Sequence, residues 1–368
     1  MKVFIKERKR VSGEFQFFMH QFVEAGIKNG IEVKKDYVVQ NILKIKYFSK
    51  AFAMVNKRNL SKCGIGNSNK TSSCSKIYGG SSMKDKSKIK SFIIKVLDVL
   101  SMLQFRKKNV LIVTSDGGNI LWNSLPYQKS YHIIPMIWDV WPETWDRMYV
   151  DLARLKCPVI FVTVRAMVNV LKSKFDAEVY WIPEGIDCSD YVKGDDLKTR
   201  CIELYELGRQ HKQYHEVIND LYCNGDIKNY VHNRYYADGS FELAYPTAQA
   251  LIDSLPTVKI IVSFPQVDTN PQKAGDLETL TQRYWEAMLS GCLIVGRAPK
   301  ELIDFIGYDP VVNVDWEHPR EQLKDILEHI EDYQTLVDKN YQVALDKASW
   351  DCRISVIKEI LIRKGYEF

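Results

Sequence analysis

The stretch ETLTQRYWEAMLSGCLIVG, residues 278–296, contains the pattern on which the interpretation of the whole chain depends. Its first part has helical apolar spacing, Ser290-Gly291 is a helix-stop signal, and the apolar run from Cys292 predicts a short buried strand. Glu278 lies in the loop at the mouth of this helix, and Glu286 lies within the helix. We therefore expect both carboxylates near the start of a helix–turn–strand unit, where they can contact a ligand.

Alternating strand and helix patterns continue through most of the 368 residues. KVFI, a Gly-containing loop, a helix that ends at Asn29-Gly30 and a second strand begin a doubly wound α/β unit, and CIELYELG begins another. Residues 266–276 are predicted to form a polar loop. Because the chain is too long for one ordinary core, we expect an α/β protein with domains at 1–187 and 188–340 and a terminal helix within 341–368.

The composition suits a packed cytosolic protein. Hydrophobic residues make up 46% of the chain, and no run of about 18 apolar residues predicts a transmembrane helix. The first ten residues are too charged for a secretory signal. The eight cysteines show no C-x-x-C spacing, so neither a zinc site nor a redox dithiol is indicated.

One segment is strongly basic. Between Lys44 and Lys108 there are sixteen Lys or Arg residues and only two acids. This excess indicates either a solvated surface or attraction to an anionic partner, namely a membrane face, a lipid-linked phosphate or nucleic acid. The aromatic residues of the segment are not interleaved with the basic ones as base stacking requires. We therefore expect no nucleic-acid partner.

Two cations lie at a predicted strand-to-helix turn in LYELGRQHKQYHEVI, residues 204–218. The strand ends at Gly208, and Arg209 and Lys212 lie where the next helix begins. Backbone N–H groups at a helix N-terminus, together with two fixed cations, suit a diphosphate. The alternative interpretation is a pair of solvated surface cations.

The two acids of the first stretch cannot share one proton-transfer step. If both were helical, Glu278 and Glu286 would lie about 12 Å apart along the axis and about 80° apart around it. They can flank one extended ligand, because a carboxylate accepts hydrogen bonds from a ribose diol or from sugar hydroxyls. The alternatives are an acid that stabilises a helix N-terminus and an exposed helix residue. Together with the cations, the acids would frame a nucleotide diphosphate sugar.

In their order along the chain, these motifs resemble those of two-domain GT-B glycosyltransferases, specifically the group 1 or family 4 retaining enzymes. SGEFQFFMHQFVEAGIKNGIEV resembles their first Gly loop, helix and second strand, IWDVWPETWD their acceptor-side loop, and WIPEGID the junction between domains. LGRQHK resembles their diphosphate element, and ETLTQRYWEAMLSGCLIVG their Glu–seven residues–Glu signature. ASWDCR resembles the terminal helix that crosses back onto the first domain. Residues 279–308 are similar to transferases of bacterial surface-polysaccharide clusters, which make lipopolysaccharide, O-antigen or capsule.

The resemblance implies a GT-B fold, in which two Rossmann-like domains face each other across a cleft. It also implies roles for four charged residues. Arg209 and Lys212 would bind the diphosphate, Glu286 the ribose, and Glu278 would lie near hydroxyl groups of the donor sugar.

The resemblance extends to the two sides of the cleft, with departures. Gly13 would line the cleft near the diphosphate, and Asp139 would face the reacting sugar or the acceptor. Where many members have Gly-Phe-Gly after the first Glu, this chain has Thr279, Leu280 and Thr281. This replacement changes the backbone contacts that glycines permit with the donor.

The implied reaction is transfer of a hexosyl group from a nucleotide-diphosphate sugar, with retention, to a glycan or lipid-linked oligosaccharide at the inner face of the cytoplasmic membrane. Fixed cations would stabilise the departing diphosphate. No Asp-x-Asp motif demands a metal, and we expect neither a metal nor a cofactor. For an inverting enzyme, Asp139 or His132 is the candidate base, although His132 fits better as a strand histidine with a satisfied hydrogen bond. The alternatives are an inactive nucleotide-sugar-binding module and another GT-B enzyme, such as a nucleotide-sugar epimerase.

Overall fold

The structure, a computed structural model, describes residues 1–8, 18–35, 107–236 and 240–368. Strands of the first sheet are β1 (Val3–Lys6), β2 (Glu32–Lys34), β3 (Asn109–Asp116), β4 (Tyr131–Trp138), β5 (Val159–Val162) and β6 (Glu178–Trp181). They lie in the order β2-β1-β3-β4-β5-β6, and every neighbouring pair is parallel. Strands β3 and β4 are buried along most of their length, as expected for parallel strands covered on both faces.

Helices flank this first sheet. In the described residues they are α1 (Phe18–Lys28), α2 (Ile120–Ser124), α3 (Trp145–Leu155) and α4 (Met167–Lys174). Helix α1 ends where the sequence predicts, because Gly30 adopts a φ of 82° and Ile31 returns a hydrogen bond to the carbonyl of Gly26.

The second sheet is also parallel. Its strands are β7 (Ile202–Glu206), β8 (Tyr230–His232), β11 (Val258–Ser263), β12 (Leu293–Gly296) and β13 (Val312–Asn313). Their order is β13-β12-β11-β7-β8. After β8 in the sequence, β9 (Arg234–Tyr235) and β10 (Phe241–Glu242) form a separate antiparallel pair. Hydrophobic clusters pack on both faces of the sheet, and the strands β7, β8, β11 and β12 each contribute side chains to both clusters.

The helices of the second unit alternate with its strands. They are α5 (Lys212–Cys223), α6 (Ala248–Ser254), α7 (Gln266–Thr269), α8 (Pro271–Ala274), α9 (Gln282–Leu289), α10 (Lys300–Ile306) and α11 (Pro319–Glu328). Short 3-10 helices cover Tyr127–Lys129, Pro142–Thr144, Cys188–Asp190, Leu197–Thr199, Leu255–Thr257 and Ile330–Tyr333. The polar loop predicted at residues 266–276 is therefore wrong in part, since it contains α7 and α8. The second of these helices forms because Asn270 caps the backbone N–H of Lys273 and Pro271 occupies the first helical position.

The stretch at residues 278–296 folds as its pattern predicts. Glu278 precedes α9, and Glu286 lies within it. Gly291 follows with a φ of 65°, and the N–H of Cys292 donates to the carbonyl of Ala287 before β12 begins. Glycine tolerates this left-handed conformation without a Cβ penalty. The helix–turn–strand unit is confirmed.

Two terminal helices, α12 (Gln334–Lys347) and α13 (Trp350–Arg363), complete the chain, and α13 returns to the first unit. The ring of Trp350 lies 5.5 Å from that of Phe22 and 5.9 Å from that of Trp138. A Cβ on Gly185, in the connection between the sheets, would lie only 2.9 Å from the Trp350 ring. The indole therefore packs simultaneously on the first unit and on the connection.

The domain limits at 1–187, 188–340 and 341–368 stay predictions. Position 187 falls between β6 and β7, and position 341 falls inside α12.

Six cysteines of the described chain have free thiols. None of the helices in the described ranges is both long enough and apolar enough to cross a bilayer.

Replacing Ile357 should separate the contribution of the α13 interface from that of the helix itself. Ile357 is 0% exposed in the core that α13 shares with the first unit, whereas Ile362 on the same helix is 56% exposed. We expect Ile357→Ala to lower the free energy of unfolding by about 2–5 kcal/mol and Ile362→Ala to change it by no more than about 0.5 kcal/mol. Urea unfolding followed by tryptophan fluorescence measures both, and equal losses would contradict this packing.

Candidate active site

A cleft of about 450 Å³ lies between the carboxyl ends of the two sheets. Its lining includes Asp139, directly after β4, and Thr163, directly after β5. From the second unit come Arg209, in the turn after β7, and Gln266, after β11. Ligands of open α/β sheets bind outside the carboxyl ends of the strands, so this cleft is the candidate active site.

Two desolvated arginines bring positive charge to the cleft. Desolvation, and next the charge of Arg283, lower the pKa of Arg209 to about 9. Desolvation also lowers the pKa of Arg283, whose Nη1 is buried without a hydrogen-bond partner in the described chain. Among the residues described, neither guanidinium has a carboxylate oxygen within 4 Å. Two desolvated like charges in one cleft favour binding of an anion between them.

Gly208 makes the approach of these arginines possible. Its φ is 82°, and a Cβ there would lie 2.7 Å from Nη2 of Arg283. The absent side chain lets Arg283 lie against the turn that carries Arg209. Arg209 itself donates from Nε to Oγ1 of Thr269 at 3.3 Å.

Acids with raised pKa values lie in the same cleft. Burial raises the pKa of Asp139, and the nearby charge of Lys273 reduces that rise. Burial and then the charge of Asp139 raise the pKa of Glu184 well above its usual value. Asp139 also has a φ of 48°, a sparsely populated conformation for a residue other than glycine. Such backbone strain clusters at functional sites.

Glu286 is placed toward the cleft by α9. It is 7% exposed and accepts a hydrogen bond from the hydroxyl of Tyr191 at 3.2 Å. Burial raises the pKa of Glu286, whereas the charge of Arg283 lowers it. Thr279 and Thr281 also line the cleft. The intervening Leu280 instead points into the hydrophobic core of the second unit.

Glu278 lies in a neighbouring ion-pair cluster and is not part of the cleft lining. Its carboxylate pairs with the guanidinium of Arg297 and accepts from the backbone N–H of Lys300 at 2.6 Å. Arg297 in turn donates to Asp268 at 2.6 Å and 2.9 Å. Any contact of Glu278 with a sugar would therefore add to bonds that both of its oxygens already make.

The remaining predicted residues lie elsewhere. Lys212 is the first residue of α5, where its side chain is exposed and does not line the cleft. Gly13 lies outside the described residues. His132 is the second residue of β4, and at about 3.3 Å per residue it lies about 23 Å from Asp139 along the strand. The structure thus brings Asp139, Arg209 and Glu286 together.

Sequence reasoning missed Arg283, Lys273 and Glu184. Arg283 precedes Glu286 by three positions, a spacing that places both on one helix face, and this signal could have identified it. Lys273 lies in the segment taken for a loop, where no pattern marks it. Its ammonium lies 5.8 Å from the ring of Trp141, a cleft residue of the first unit.

No family model matches the chain, and no curated protein matches its sequence. Solved structures match its fold. Sucrose-phosphate synthase from Thermosynechococcus elongatus is 12% identical with a TM-score of 0.56, and the match covers 99% of this chain and 99% of that one. HepE from Anabaena, in complex with UDP and glucose, is 9% identical with a TM-score of 0.54, covering 99% of this chain and 100% of that one.

The chain has the GT-B fold. The two parallel sheets, the cleft between their carboxyl ends and the returning terminal helix confirm the architecture expected from the motifs. At these identities the likeness concerns the GT-B fold alone. Membership of the group 1 or family 4 enzymes stays a prediction.

One buried carboxylate joins the two units of the GT-B fold beside the cleft. Oε1 of Glu301 accepts from the backbone N–H of Arg165 at 2.6 Å, and Oε2 accepts from the N–H of Leu280 at 3.0 Å. Arg165 follows β5 in the first unit, and Leu280 lies between the two cleft threonines. Burial raises the pKa of Glu301 to about 7, although both N–H donors act in the opposite direction.

Glu301 should make the stability of the chain depend on pH. Because its folded pKa, about 7, lies above the usual 4.5, the folded state binds the proton more tightly, and this contribution is lost as pH rises from 4.5 through 7. Glu301→Gln cannot titrate. We therefore expect the wild type to lose free energy of unfolding relative to Glu301→Gln between pH 5 and pH 8.

Urea unfolding of both proteins across this range measures the effect. Glu317→Gln, at an exposed position of the same unit, is the matched control and should follow the wild type. Parallel profiles for the wild type and Glu301→Gln would contradict the prediction.

Proposed function

We propose that the chain is a glycosyltransferase that moves a sugar from a nucleotide-diphosphate sugar to a glycan acceptor. The observation that carries this proposal is the pair of desolvated guanidinium groups, Arg209 and Arg283, in the interdomain cleft, neither of which forms an ion pair within 4 Å in the described residues. A diphosphate supplies the missing negative charge and accepts several hydrogen bonds from each arginine. The GT-B fold and the acids in the same cleft support the proposal.

The donor would extend across the second unit. Arg209 and Arg283 bind the diphosphate, and Lys212 approaches it from the N-terminus of α5. Glu286 accepts from the two ribose hydroxyls, for which it is held by Tyr191. HepE binds UDP and glucose. For this chain we propose a nucleotide-sugar donor because the charged residues of its cleft suit a diphosphate and a ribose.

The sugar end of the donor would face the first unit. Asp139 contacts the reacting sugar or the acceptor from across the cleft, where its carboxylate accepts hydrogen bonds from sugar hydroxyls. Thr279 and Thr281 contact the donor with their hydroxyls and backbone, and Leu280 holds the loop between them through its N–H bond to Glu301. Gly13 would approach the diphosphate, and Glu278 the sugar hydroxyls.

The reaction breaks the bond between the anomeric carbon and the phosphate oxygen and forms one to an acceptor hydroxyl oxygen. Positive charge develops on the sugar and negative charge on the diphosphate. The arginines are fixed before reaction and stabilise that negative charge, so no bound metal is required. We further propose retention, in which the acceptor attacks from the leaving-group face and its proton passes to the departing phosphate.

We also propose that the acceptor is a lipid-linked glycan in bacterial surface-polysaccharide synthesis. The support comes from the sequence, where sixteen basic residues between Lys44 and Lys108 suit an anionic membrane surface. The enzyme would then be a hexosyltransferase that works in the cytoplasm, peripherally on the inner face of the membrane.

The purified chain should release nucleoside diphosphate from one donor in a panel of UDP-, GDP- and dTDP-sugars. Because removal of one preorganised donor to a developing charge costs about 10²–10³-fold in rate, Arg283→Ala and Arg209→Ala should each lose that much kcat/KM on this donor. Coupled detection of the released nucleoside diphosphate measures the rate.

Arg320→Ala is the matched control, since Arg320 pairs with Asp220 on the surface of the second unit. It should retain full activity. Binding of a nucleoside diphosphate without turnover of any donor, even with crude lipid acceptor, would favour an inactive binding module. Conversion of the donor to its epimer without transfer would favour an epimerase.

A further inference from the structure

A second cluster of polar side chains lies outside the cleft lining, behind the turn that carries Arg209. Glu206 ends β7, His232 ends β8, and His215 lies in the first turn of α5. One ligand atom from each lies within 4.8 Å of the others. The order of the second sheet, in which β7 and β8 are neighbours, brings these residues together although they span 27 positions of the chain.

Glu206 carries an unexplained buried oxygen. The residue is 1% exposed, and its Oε1 is buried without a hydrogen-bond partner in the described chain. Its Oε2, by contrast, accepts from the hydroxyl of Tyr230 and lies 2.5 Å from Nδ1 of His215. An unsatisfied buried carboxylate oxygen is costly, and a cation bound to Oε1 removes that cost.

The hydrogen bonds of His232 prepare it to bind a metal. Its Nδ1 lies 2.9 Å from the carbonyl oxygen of Asn233. The amide nitrogen of Gln210 also lies 3.2 Å from Nδ1, so the tautomer sets which of these contacts is a hydrogen bond. In the tautomer with the proton on Nδ1, the ring donates to the Asn233 carbonyl and Nε2 has a free lone pair for a metal. Histidine ligands of metals commonly donate their other ring nitrogen to a backbone carbonyl in this way.

His215 has a comparable outer partner. Its Nε2 lies 2.8 Å from the amide nitrogen Nδ2 of Asn219, so Nε2 accepts in this arrangement and the ring proton lies on Nδ1, toward Glu206. Metal binding would release that proton, because when the Asn219 amide turns to present its oxygen, Nε2–H donates to it and Nδ1 becomes the ligand. The side chain of His215 is 23% exposed, which gives an ion a route into the cluster.

We propose that Glu206, His215 and His232 form a binding site for a divalent cation of the zinc class. Two imidazoles and one carboxylate suit Zn²⁺ better than Mg²⁺ or Ca²⁺, which prefer oxygen ligands. Bonds of about 2.0–2.2 Å in a tetrahedral site separate the ligand atoms by about 3.3 Å, so the side chains need shift by only about 1 Å. Three protein ligands leave the fourth position for water.

The proposed cation would fix the turn that supplies the diphosphate contact. Gln210, the residue after Arg209, donates to Oε2 of Glu206 at 3.3 Å and to the carbonyl of Asn233 at 3.1 Å. A metal that locks the ends of β7 and β8 therefore also fixes Gln210 and limits the positions open to Arg209. Its role is structural and does not depend on the reaction proposed for the cleft.

The test is zinc binding by the full chain. Protein stripped with a chelator, loaded with Zn²⁺ and dialysed should retain one zinc per chain by elemental analysis. Loss of a residue that hydrogen-bonds a metal ligand costs about 10–100-fold in metal affinity. His232→Ala and His215→Ala remove the ligands themselves and should therefore raise the Kd by more than about 100-fold. His329→Ala, an exposed histidine beside Asp325, should leave binding unchanged.

Cobalt titration of the wild type provides a readout that needs no variant. A site of two nitrogens and one oxygen with near-tetrahedral geometry gives intense visible absorption when Co²⁺ binds, and Zn²⁺ should remove this signal. Failure of the folded wild type to retain zinc or to develop this absorption would overturn the proposal. Retention of zinc at unchanged affinity in both histidine variants would also overturn it.

Discussion

The packing of Trp350 on the first unit and on Gly185 is the contact on which the geometry of the cleft depends. Helix α13 is the last element of the chain, yet its indole lies in the core of the first sheet, against Phe22 and Trp138. Arg353, one turn later, donates to the carbonyl of Pro183 at 3.0 Å. The end of the chain therefore clamps the connection between the sheets, and the two sets of strand ends face each other.

This arrangement brings charged side chains from both units and from the connection between them into one cleft. Arg209 and Arg283 come from the second unit, Asp139 comes from the first, and Glu184 belongs to the connection. Burial pushes each of these groups toward its neutral form. A protein accepts such desolvation where a ligand later supplies the compensating charge, and function is then gained at the expense of stability. The cleft is therefore built for an anion that the chain itself does not provide.

The sequence predicted those features that depend on local pattern. The buried strands β3, β11 and β12 each contain an unbroken run of three or four apolar residues, and Gly291 ends α9 where a left-handed residue is needed. The motifs also identified Arg209, Asp139 and Glu286, which the structure brings to one cleft.

Features that depend on tertiary contact were not accessible in this way. The carboxylate of Glu278 is taken up by Arg297, which lies nineteen residues later, and Glu301 links residues 165 and 280. No periodicity encodes such pairings. The cluster of Glu206, His215 and His232 likewise depends on the order of strands in the sheet. Sequence spacing rules for metal ligands, such as C-x-x-C, cannot detect residues that only the sheet order brings together.

Substitution of Arg283 by methionine tests whether the desolvated positive charge in the cleft is held for a diphosphate. Methionine keeps much of the side-chain volume and removes the charge. We expect opposite effects on stability and on binding in this one variant, measured by urea unfolding and by calorimetric titration with the nucleoside diphosphate of the active donor. The free energy of unfolding without ligand should rise by about 0.5–2 kcal/mol, while the Kd should increase at least about 10-fold, as loss of a charged hydrogen bond implies. A less stable variant that binds the nucleoside diphosphate as tightly as the wild type would show that Arg283 stabilises the fold and does not bind the diphosphate.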